Sequence, residues 1–217
     1  MKKAAIFDMD GLMFDTQRVY NESWYVLAPD FGITIPDAFV PAITGTAGDV
    51  MENVIRTFFP SVDPGALMAA LYERVMRVTE DHLPVKPGLY EILDFFQEKG
   101  VRVCVSSGSR RQVIERNMRN TGIMDKIEFV LSSAEGGVRS KPDPDIFLRA
   151  AGRLGLPPED CYVLEDSVGG ALAGLAAGCS TIMVPDTLEP TPEILEGGAH
   201  ICRTLLEARD RLAGGEF

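Results

Sequence analysis

Short apolar runs alternate with longer segments of helical periodicity along most of this 217-residue chain. The apolar runs cover residues 3–7, 101–105, 128–131, 162–164 and 181–184, and the helical segments cover 90–99, 111–120, 145–154 and 168–177. An apolar run without polar alternation is typical of a strand that is buried on both faces of a parallel sheet. The sequence therefore predicts an α/β fold, a doubly wound parallel sheet with a Rossmann-like core.

Residues 16–84 interrupt this alternation. Apolar residues recur there at helical spacing, as in Val19, Trp24 and Leu27, and prolines divide the stretch into several helices. We therefore expect residues 1–15 and 85–217 to form the α/β core and residues 16–84 to form an inserted all-helical domain. The last dozen residues are expected to form a helix that ends in a frayed Gly214-Gly215 tail.

Composition and charge exclude several classes of protein. The formal net charge of −11 argues against a nucleic-acid surface, which needs clustered Lys and Arg. No apolar run reaches membrane-spanning length, and the run after the first three residues is too short for a signal peptide. The four cysteines lie far apart, which does not suggest a zinc site. We expect a cytoplasmic protein with reduced thiols, and a monomer by default.

The first apolar run ends in Asp8-Met9-Asp10-Gly11. Alternate residues of a strand share a face, so Asp8 and Asp10 are expected to project together from the strand end. Two carboxylates that close are hard to keep ionised without a cation, which indicates an oxygen-preferring metal such as Mg²⁺. On its own, the pattern is also ordinary turn chemistry.

Further polar residues follow the other predicted strands, where the ligands of doubly wound sheets gather. They are Ser106 and Ser107 after the second run, Lys141 in the loop after the third, and Glu165 and Asp166 after the fourth. Each residue type also has a structural use. Ser109 suits the N-cap of the next helix, lysines are usually solvated, and an acidic pair complements a helix dipole.

Together, Asp8-x-Asp10-Gly-x-x-x-Asp15, Ser106, Lys141-Pro-x-Pro and Glu165-Asp166-Ser167 resemble, in order and approximate spacing, the motifs of the haloacid dehalogenase-like hydrolase superfamily. The inserted helices are similar to the helical cap of its phosphatases and β-phosphoglucomutases. The resemblance covers essentially the whole chain.

The resemblance implies a role for each matching residue. Asp8 would attack phosphorus and form an aspartyl phosphate, while Asp10 would protonate the leaving alcohol and later activate water. The Ser106 hydroxyl and the backbone N–H of Ser107 would hold the phosphoryl oxygens next to Gly11, and Lys141 would neutralise charge. Magnesium would be held by Asp8, the Asp10 backbone carbonyl and Asp166, with Glu165 assisting directly or through water.

The sequence thus predicts a Mg²⁺-dependent phosphatase that acts on a small phosphorylated metabolite, such as a sugar, polyol or nucleoside monophosphate. A β-phosphoglucomutase-type mutase is the alternative, because it uses the same aspartyl phosphate. Alignment places Gly48 where those mutases carry an arginine and Tyr20 where they carry a histidine, which favours hydrolysis. A phosphoacceptor signalling module fits less well, because its acceptor lies on an internal strand and it has no helical insert.

Two parts of the helical insert are expected to contact substrate. Tyr20 lies one helical turn before Trp24, although packing between helices is the more common use of such a tryptophan. The polar loop Thr44-Gly45-Thr46 is the better candidate for specificity, because closure of the insert would bring it onto the leaving group.

Overall fold

The computed structural model describes residues 1–44, 46, 48–134 and 136–217. Its strands are β1 (Ala4–Phe7), β2 (Arg102–Ser107), β3 (Val130–Ser132), β4 (Cys161–Glu165), β5 (Ser180–Met183) and β6 (His200–Ile201). Its helices are α1 (Thr16–Leu27), α2 (Phe39–Ile43), α3 (Gly48–Phe58), α4 (Pro64–Asp81), α5 (Leu89–Glu98), α6 (Arg111–Asn120), α7 (Asp145–Leu154), α8 (Val168–Ala176), α9 (Pro192–Glu196) and α10 (Leu205–Ala213). None of the helices in these ranges is long and apolar enough to cross a membrane.

The strands of the described residues form one parallel sheet in the order β3-β2-β1-β4-β5-β6. The predicted doubly wound α/β fold is confirmed. The sequence missed β6, because this edge strand has only two residues and no apolar run marks it. The other strands lie within a few residues of their predicted positions.

The central strand β1 is buried along its whole length. Ile6 belongs to the apolar cluster that includes Ile146 and Phe147 of α7. Phe7 instead meets Phe96 of α5 edge to face, with ring centroids 6.0 Å apart. Successive residues of a strand point to opposite faces, so β1 is covered by one helical layer on each side.

The direction of strand addition reverses at β1, which lies between β2 and β4. Phe7 is in register with Val105 of β2 and Leu164 of β4. The next residues along the three strands are Asp8, Ser106 and Glu165, so these reach the same edge of the sheet. Such a switch point at the carboxyl ends is where open α/β sheets bind ligands.

The chain divides into two compact units, which we call the sheet unit (Met1–Asp15 with Pro84–Phe217) and the helical unit (Thr16–Leu83). The chain thus re-enters the sheet unit one residue before the boundary expected from the sequence. The role of the helical unit as a cap over the site stays a prediction.

Both connections to the helical unit are fixed side by side within the sheet unit. Phe14 and Val85 form an antiparallel bridge. The Asp15 N–H donates to the Pro84 carbonyl at 2.9 Å, and the Lys86 N–H donates to the Met13 carbonyl at 3.0 Å. We call this pairing of residues 13–15 with 84–86 the connecting ladder.

The helical unit has its own apolar core. Trp24 of α1 is 2% exposed and meets Phe39 edge to face, with ring centroids 5.2 Å apart. Phe39 is fully buried and also contacts Phe59. The expectation that Trp24 serves packing between helices is therefore confirmed.

The C-terminal residues are attached to the sheet unit rather than frayed. The Phe217 ring stacks on His200 of β6 with centroids 4.2 Å apart, and the Arg211 guanidinium lies over the same ring. The Phe217 carbonyl accepts a hydrogen bond from the Tyr162 hydroxyl at 3.1 Å. The predicted frayed tail was wrong, because the terminal aromatic ring has a stacking partner that local sequence does not reveal.

Gly88 permits close packing of α5 against α10. Its φ is +90°, and a Cβ at this position would lie 2.2 Å from the Leu206 backbone nitrogen. Gly100 also has a positive φ, +68°, but a Cβ there would meet nothing within 4 Å. An alanine at Gly100 would therefore cause backbone strain alone, whereas an alanine at Gly88 would cause the same strain and a steric clash.

We predict that Gly88→Ala destabilises the protein more than Gly100→Ala does. Gly100→Ala, the control, should lose about 1–2 kcal/mol of unfolding free energy from left-handed backbone strain. The collision at Gly88 should cost roughly 1–3 kcal/mol more, as overpacking does. Urea unfolding of both variants measures the difference, and equal losses would contradict the proposed packing role.

Candidate active site

The Lys141 ammonium joins two carboxylates at the carboxyl edge of the sheet. Its Nζ donates to Asp8 Oδ1 and to Glu165 Oε1, each at 2.5 Å, and lies 3.4 Å from the Ser106 carbonyl oxygen. Burial alone would lower the pKa of Lys141, but the charges of Asp8 and Glu165 raise it above its ordinary value. Lys141 is therefore a fixed cation beside Asp8, not a solvated surface lysine.

The Glu165 side chain is completely buried and held on both oxygens. Besides the contact of Oε1 with Lys141, Oε2 accepts hydrogen bonds from the Asp166 N–H at 3.1 Å and the Ser167 N–H at 3.2 Å. The Ser167 hydroxyl donates to the same oxygen at 3.0 Å. A Cβ on Gly170 would lie 1.9 Å from Glu165 Cδ, so only glycine allows α8 to approach this carboxylate so closely.

Three carboxylates converge on one point. Asp8, Glu165 and Asp166 each offer an oxygen, and these oxygens lie within 4.8 Å of one another. Burial raises the pKa of Asp8 to about 7, with Lys141 opposing the rise and Glu165 and Asp10 adding to it. Burial and the charges of Asp8, Glu165 and Asp186 raise the pKa of Asp166 to about 9.

This donor set suits a hard divalent cation. It consists of oxygen atoms, the ligands that Mg²⁺ prefers, and the pKa values of Asp8 and Asp166 are raised by burial first and by like-charge repulsion second, both of which a bound cation offsets. The predicted ligands Asp8, Glu165 and Asp166 are therefore brought together, and the residues fit Mg²⁺. The share of the Asp10 backbone carbonyl in metal binding stays a prediction.

Gly11 lies directly against the carboxylates of Asp166 and Asp186. Its φ is +88°, and a Cβ there would lie 2.2 Å from Asp166 Oδ2 and 3.4 Å from Asp186 Oδ2. Glycine is thus required for the close approach of this loop to the two carboxylates. Its predicted contact with substrate is untested.

Asp186 and Lys86 were missed in the sequence analysis. Lys86 Nζ lies 2.5 Å from Asp186 Oδ1, which ties the connecting ladder to the loop beyond β5. Asp186 was discoverable in principle, because it follows a predicted strand at the same sheet edge. Nothing in the local sequence marks Lys86 as its partner.

Ser106 is fully buried, and its Oγ has no hydrogen-bond partner among the described residues. A buried hydroxyl without a partner is costly, which makes this Oγ a candidate donor to a ligand at the sheet edge. Ser107 is also buried, and its Oγ lies 3.4 Å from Asp10 Oδ2.

The Ser109 hydroxyl donates to Asp10 Oδ2 at 2.7 Å. Its expected use as the N-cap of α6 was wrong, since that cap is Arg110, which makes no side-chain capping bond. The serine is instead directed toward the end of β1.

Tyr20 belongs to the helical unit, where it is half-buried against the apolar core. Its ring meets Tyr72 edge to face, with centroids 6.4 Å apart. Its predicted contact with substrate stays a prediction.

The predicted specificity loop also belongs to the helical unit. The Thr44 hydroxyl donates to the Val40 carbonyl at 2.7 Å, and the Thr46 hydroxyl donates to the Ile43 carbonyl at 2.7 Å. Both hydroxyls thus donate to carbonyl groups at the C-terminal end of α2. Gly45 lies outside the described residues. Substrate binding by this loop is untested.

Comparison with known proteins agrees with this site. The family model of haloacid dehalogenase-like hydrolases matches residues 2–178. Hexitol phosphatase B of Escherichia coli K12 is 30% identical over 185 residues, which cover 84% of this chain and 83% of that protein.

Two crystal structures share the fold along nearly the whole chain. A Thermotoga maritima protein provisionally assigned as a β-phosphoglucomutase has a TM-score of 0.82 at 26% identity, covering 98% of this chain and 99% of that one. A hydrolase of the same family from Deinococcus radiodurans R1, with bound phosphate and sodium, has a TM-score of 0.80 at 26% identity, covering 99% and 96%. With a matched model over most of its length and a phosphatase relative, the chain belongs to the haloacid dehalogenase-like hydrolase family and is a phosphoric monoester hydrolase.

Proposed function

We propose that this chain is a Mg²⁺-dependent phosphatase that hydrolyses a small phosphorylated metabolite through an aspartyl phosphate on Asp8. The observation that carries the proposal is the position of Asp8. Its carboxylate is bound by the buried Lys141 ammonium at the sheet edge where Ser106 Oγ has no partner among the described residues. A phosphoryl oxygen would give that hydroxyl its acceptor.

The reaction divides into two displacements. Asp8 attacks phosphorus, and the bond from phosphorus to the leaving oxygen breaks while Asp10 donates a proton to that oxygen. Water then attacks the aspartyl phosphate, Asp10 takes a proton from it, and Asp8 is released with inorganic phosphate. Lys141, the Ser106 hydroxyl and the Ser107 N–H stabilise the charge on the transferring group.

Magnesium, when bound, neutralises charge on the phosphoryl oxygens and on the attacking carboxylate. We assign Asp8, Asp166 and the Asp10 backbone carbonyl as its protein ligands. Glu165 already accepts three hydrogen bonds on Oε2 and contacts Lys141 through Oε1. We therefore infer that Glu165 supports the site by holding Lys141 and reaches the metal through water.

The hexitol phosphatase relative favours a polyol or sugar monophosphate as substrate. Gly48 and Tyr20, at positions where mutases carry arginine and histidine, favour hydrolysis over mutase activity. The mutase stays the second candidate, because a structural neighbour carries that provisional assignment. The cytoplasmic location and monomeric state expected from the sequence stay predictions.

The first prediction for the function is Mg²⁺-dependent phosphate release from a panel of sugar, polyol and nucleoside monophosphates. Asp8→Asn should abolish release, because it removes the nucleophile, and Asp10→Asn should lower turnover by roughly 10²–10⁴-fold. Asp125→Asn, a change of an exposed carboxylate, is the control and should match wild type. Glucose 1-phosphate isomerised after addition of a bisphosphate primer, without phosphate release, would establish the mutase instead.

Magnesium should also raise the thermal stability of the protein without substrate. At about 100 times its Kd, a bound ligand stabilises by about 2.7 kcal/mol, which corresponds to several degrees in Tm for a chain of this size. In Asp166→Asn the Mg²⁺-dependent shift should shrink, while the metal-free Tm should not fall, because the pKa of Asp166, raised to about 9 by burial and neighbouring charges, shows that the metal-free fold disfavours the ionised carboxylate that asparagine removes. Differential scanning calorimetry measures both, and an undiminished shift in this variant would exclude Asp166 as a ligand.

Alanine substitutions at two adjacent glycines of α8 test whether Glu165 holds Lys141 in place. Gly170→Ala places a methyl group within 2.2 Å of the Glu165 carboxylate, whereas a Cβ on Gly169 meets nothing within 4 Å. We expect Gly170→Ala to lose most phosphatase activity, because Glu165 and hence Lys141 must move. Gly169→Ala should keep activity and gain up to about 1 kcal/mol of helix stability. Equal activity in both variants would show that Lys141 does not depend on Glu165.

A further inference from the structure

Ser109 combines a half-buried hydroxyl with a backbone that is fixed at both ends. Its N–H donates to Ser107 Oγ at 3.0 Å. Its carbonyl accepts a hydrogen bond from the buried Ser132 hydroxyl at 2.7 Å. Ser107 and Ser132 are themselves partners in the pairing of β2 with β3. The position of Ser109 is therefore set by the sheet and not by the exposed loop around it.

The remaining group of Ser109, its hydroxyl, is directed at Asp10. The distance of 2.7 Å to Oδ2 is that of a good O–H···O hydrogen bond. The Ser107 hydroxyl is a weaker partner of the same oxygen at 3.4 Å, and it also accepts from the Ser109 N–H. Asp10 Oδ2 thus faces two serine hydroxyls on the side of β2.

We propose that Ser109 is a positioning residue for the proton transfers of Asp10. The inference rests on the proposed phosphatase function. With Oδ2 accepting from Ser109, the transferable proton is carried on Asp10 Oδ1. That proton goes to the leaving oxygen as its bond to phosphorus breaks, and Oδ1 regains a proton from the water that attacks the aspartyl phosphate. A carboxylate fixed in one rotamer keeps the short proton-transfer distance that general acid–base catalysis needs.

The choice of leaving group separates this role from a structural one. p-Nitrophenolate is a stable anion and leaves without protonation, whereas the alkoxide of a sugar or polyol phosphate requires a proton. Formation of the aspartyl phosphate should therefore depend on Ser109 for an alkyl monophosphate and not for p-nitrophenyl phosphate. Hydrolysis of the aspartyl phosphate should depend on Ser109 for both, because Asp10 activates the water.

The test uses rapid-mixing kinetics of the Mg²⁺-loaded enzyme with p-nitrophenyl phosphate and with the alkyl monophosphate that wild type hydrolyses fastest. In Ser109→Ala we expect the first-turnover burst of p-nitrophenolate to be unchanged. The steady-state turnover that follows should fall about 10–100-fold, which is less than the loss expected when the acid–base group itself is removed. First-turnover cleavage of the alkyl substrate should fall by a similar factor. Ser109→Thr keeps the hydroxyl and should restore both rates.

Two results would overturn the proposal. One is equal loss of burst and steady-state rates on both substrates in Ser109→Ala, which a general disturbance of the loop would cause. The other is wild-type kinetics in Ser109→Ala while Asp10→Asn is impaired. Absence of phosphate release by wild type from any monophosphate would instead refute the proposed function itself, so the two failures are distinguishable.

Discussion

The contact of Lys141 with Asp8 and Glu165 is the interaction on which the site depends. Three carboxylates meet within 4.8 Å, and buried charges of one sign repel strongly. Lys141 offsets two of them, yet the pKa of Asp166 stays raised to about 9. The fold thus gathers more carboxyl groups at this edge than its own lysine can hold in ionised form, and a divalent cation would favour their ionised form. A substrate phosphate can then approach a chain whose net charge is strongly negative.

Most of the site was predictable, because it follows from local pattern and one topological rule. Asp8, Ser106 and Glu165 each lie at the end of an apolar run, and parallel strands bring such ends to one edge. Two acidic groups and a hydroxyl at one edge suit an oxygen-coordinated cation and an anionic ligand. Lys141 was harder, since it comes from a loop. Its position after the third predicted strand indicated the same edge, whereas its role beside Asp8 rested on resemblance to the family.

The features that the sequence did not reveal depend on contacts between residues distant in the chain. Ser109 was interpreted locally as a helix cap, whereas its hydroxyl is bound to Asp10, 99 positions away. The ion pair of Lys86 with Asp186 joins residues 100 positions apart, and nothing in the local sequence marks Lys86 as the partner of Asp186. The strand β6 was not predicted for another reason: a strand of two residues is too short to show any periodicity.

The connecting ladder has a consequence for how such a protein can evolve. Its hydrogen bonds hold the points where the chain leaves and re-enters the sheet unit next to each other, so that the helical unit is inserted like a closed loop. Insertions of this kind are well tolerated, because neighbouring ends place no demand on the length of what lies between them. Exchange of the insert for a longer, shorter or unrelated segment would leave the register of β1 with β2 and β4 intact. The sheet unit, which carries the acidic groups and Lys141, and the helical unit are therefore encoded in separable stretches of one gene.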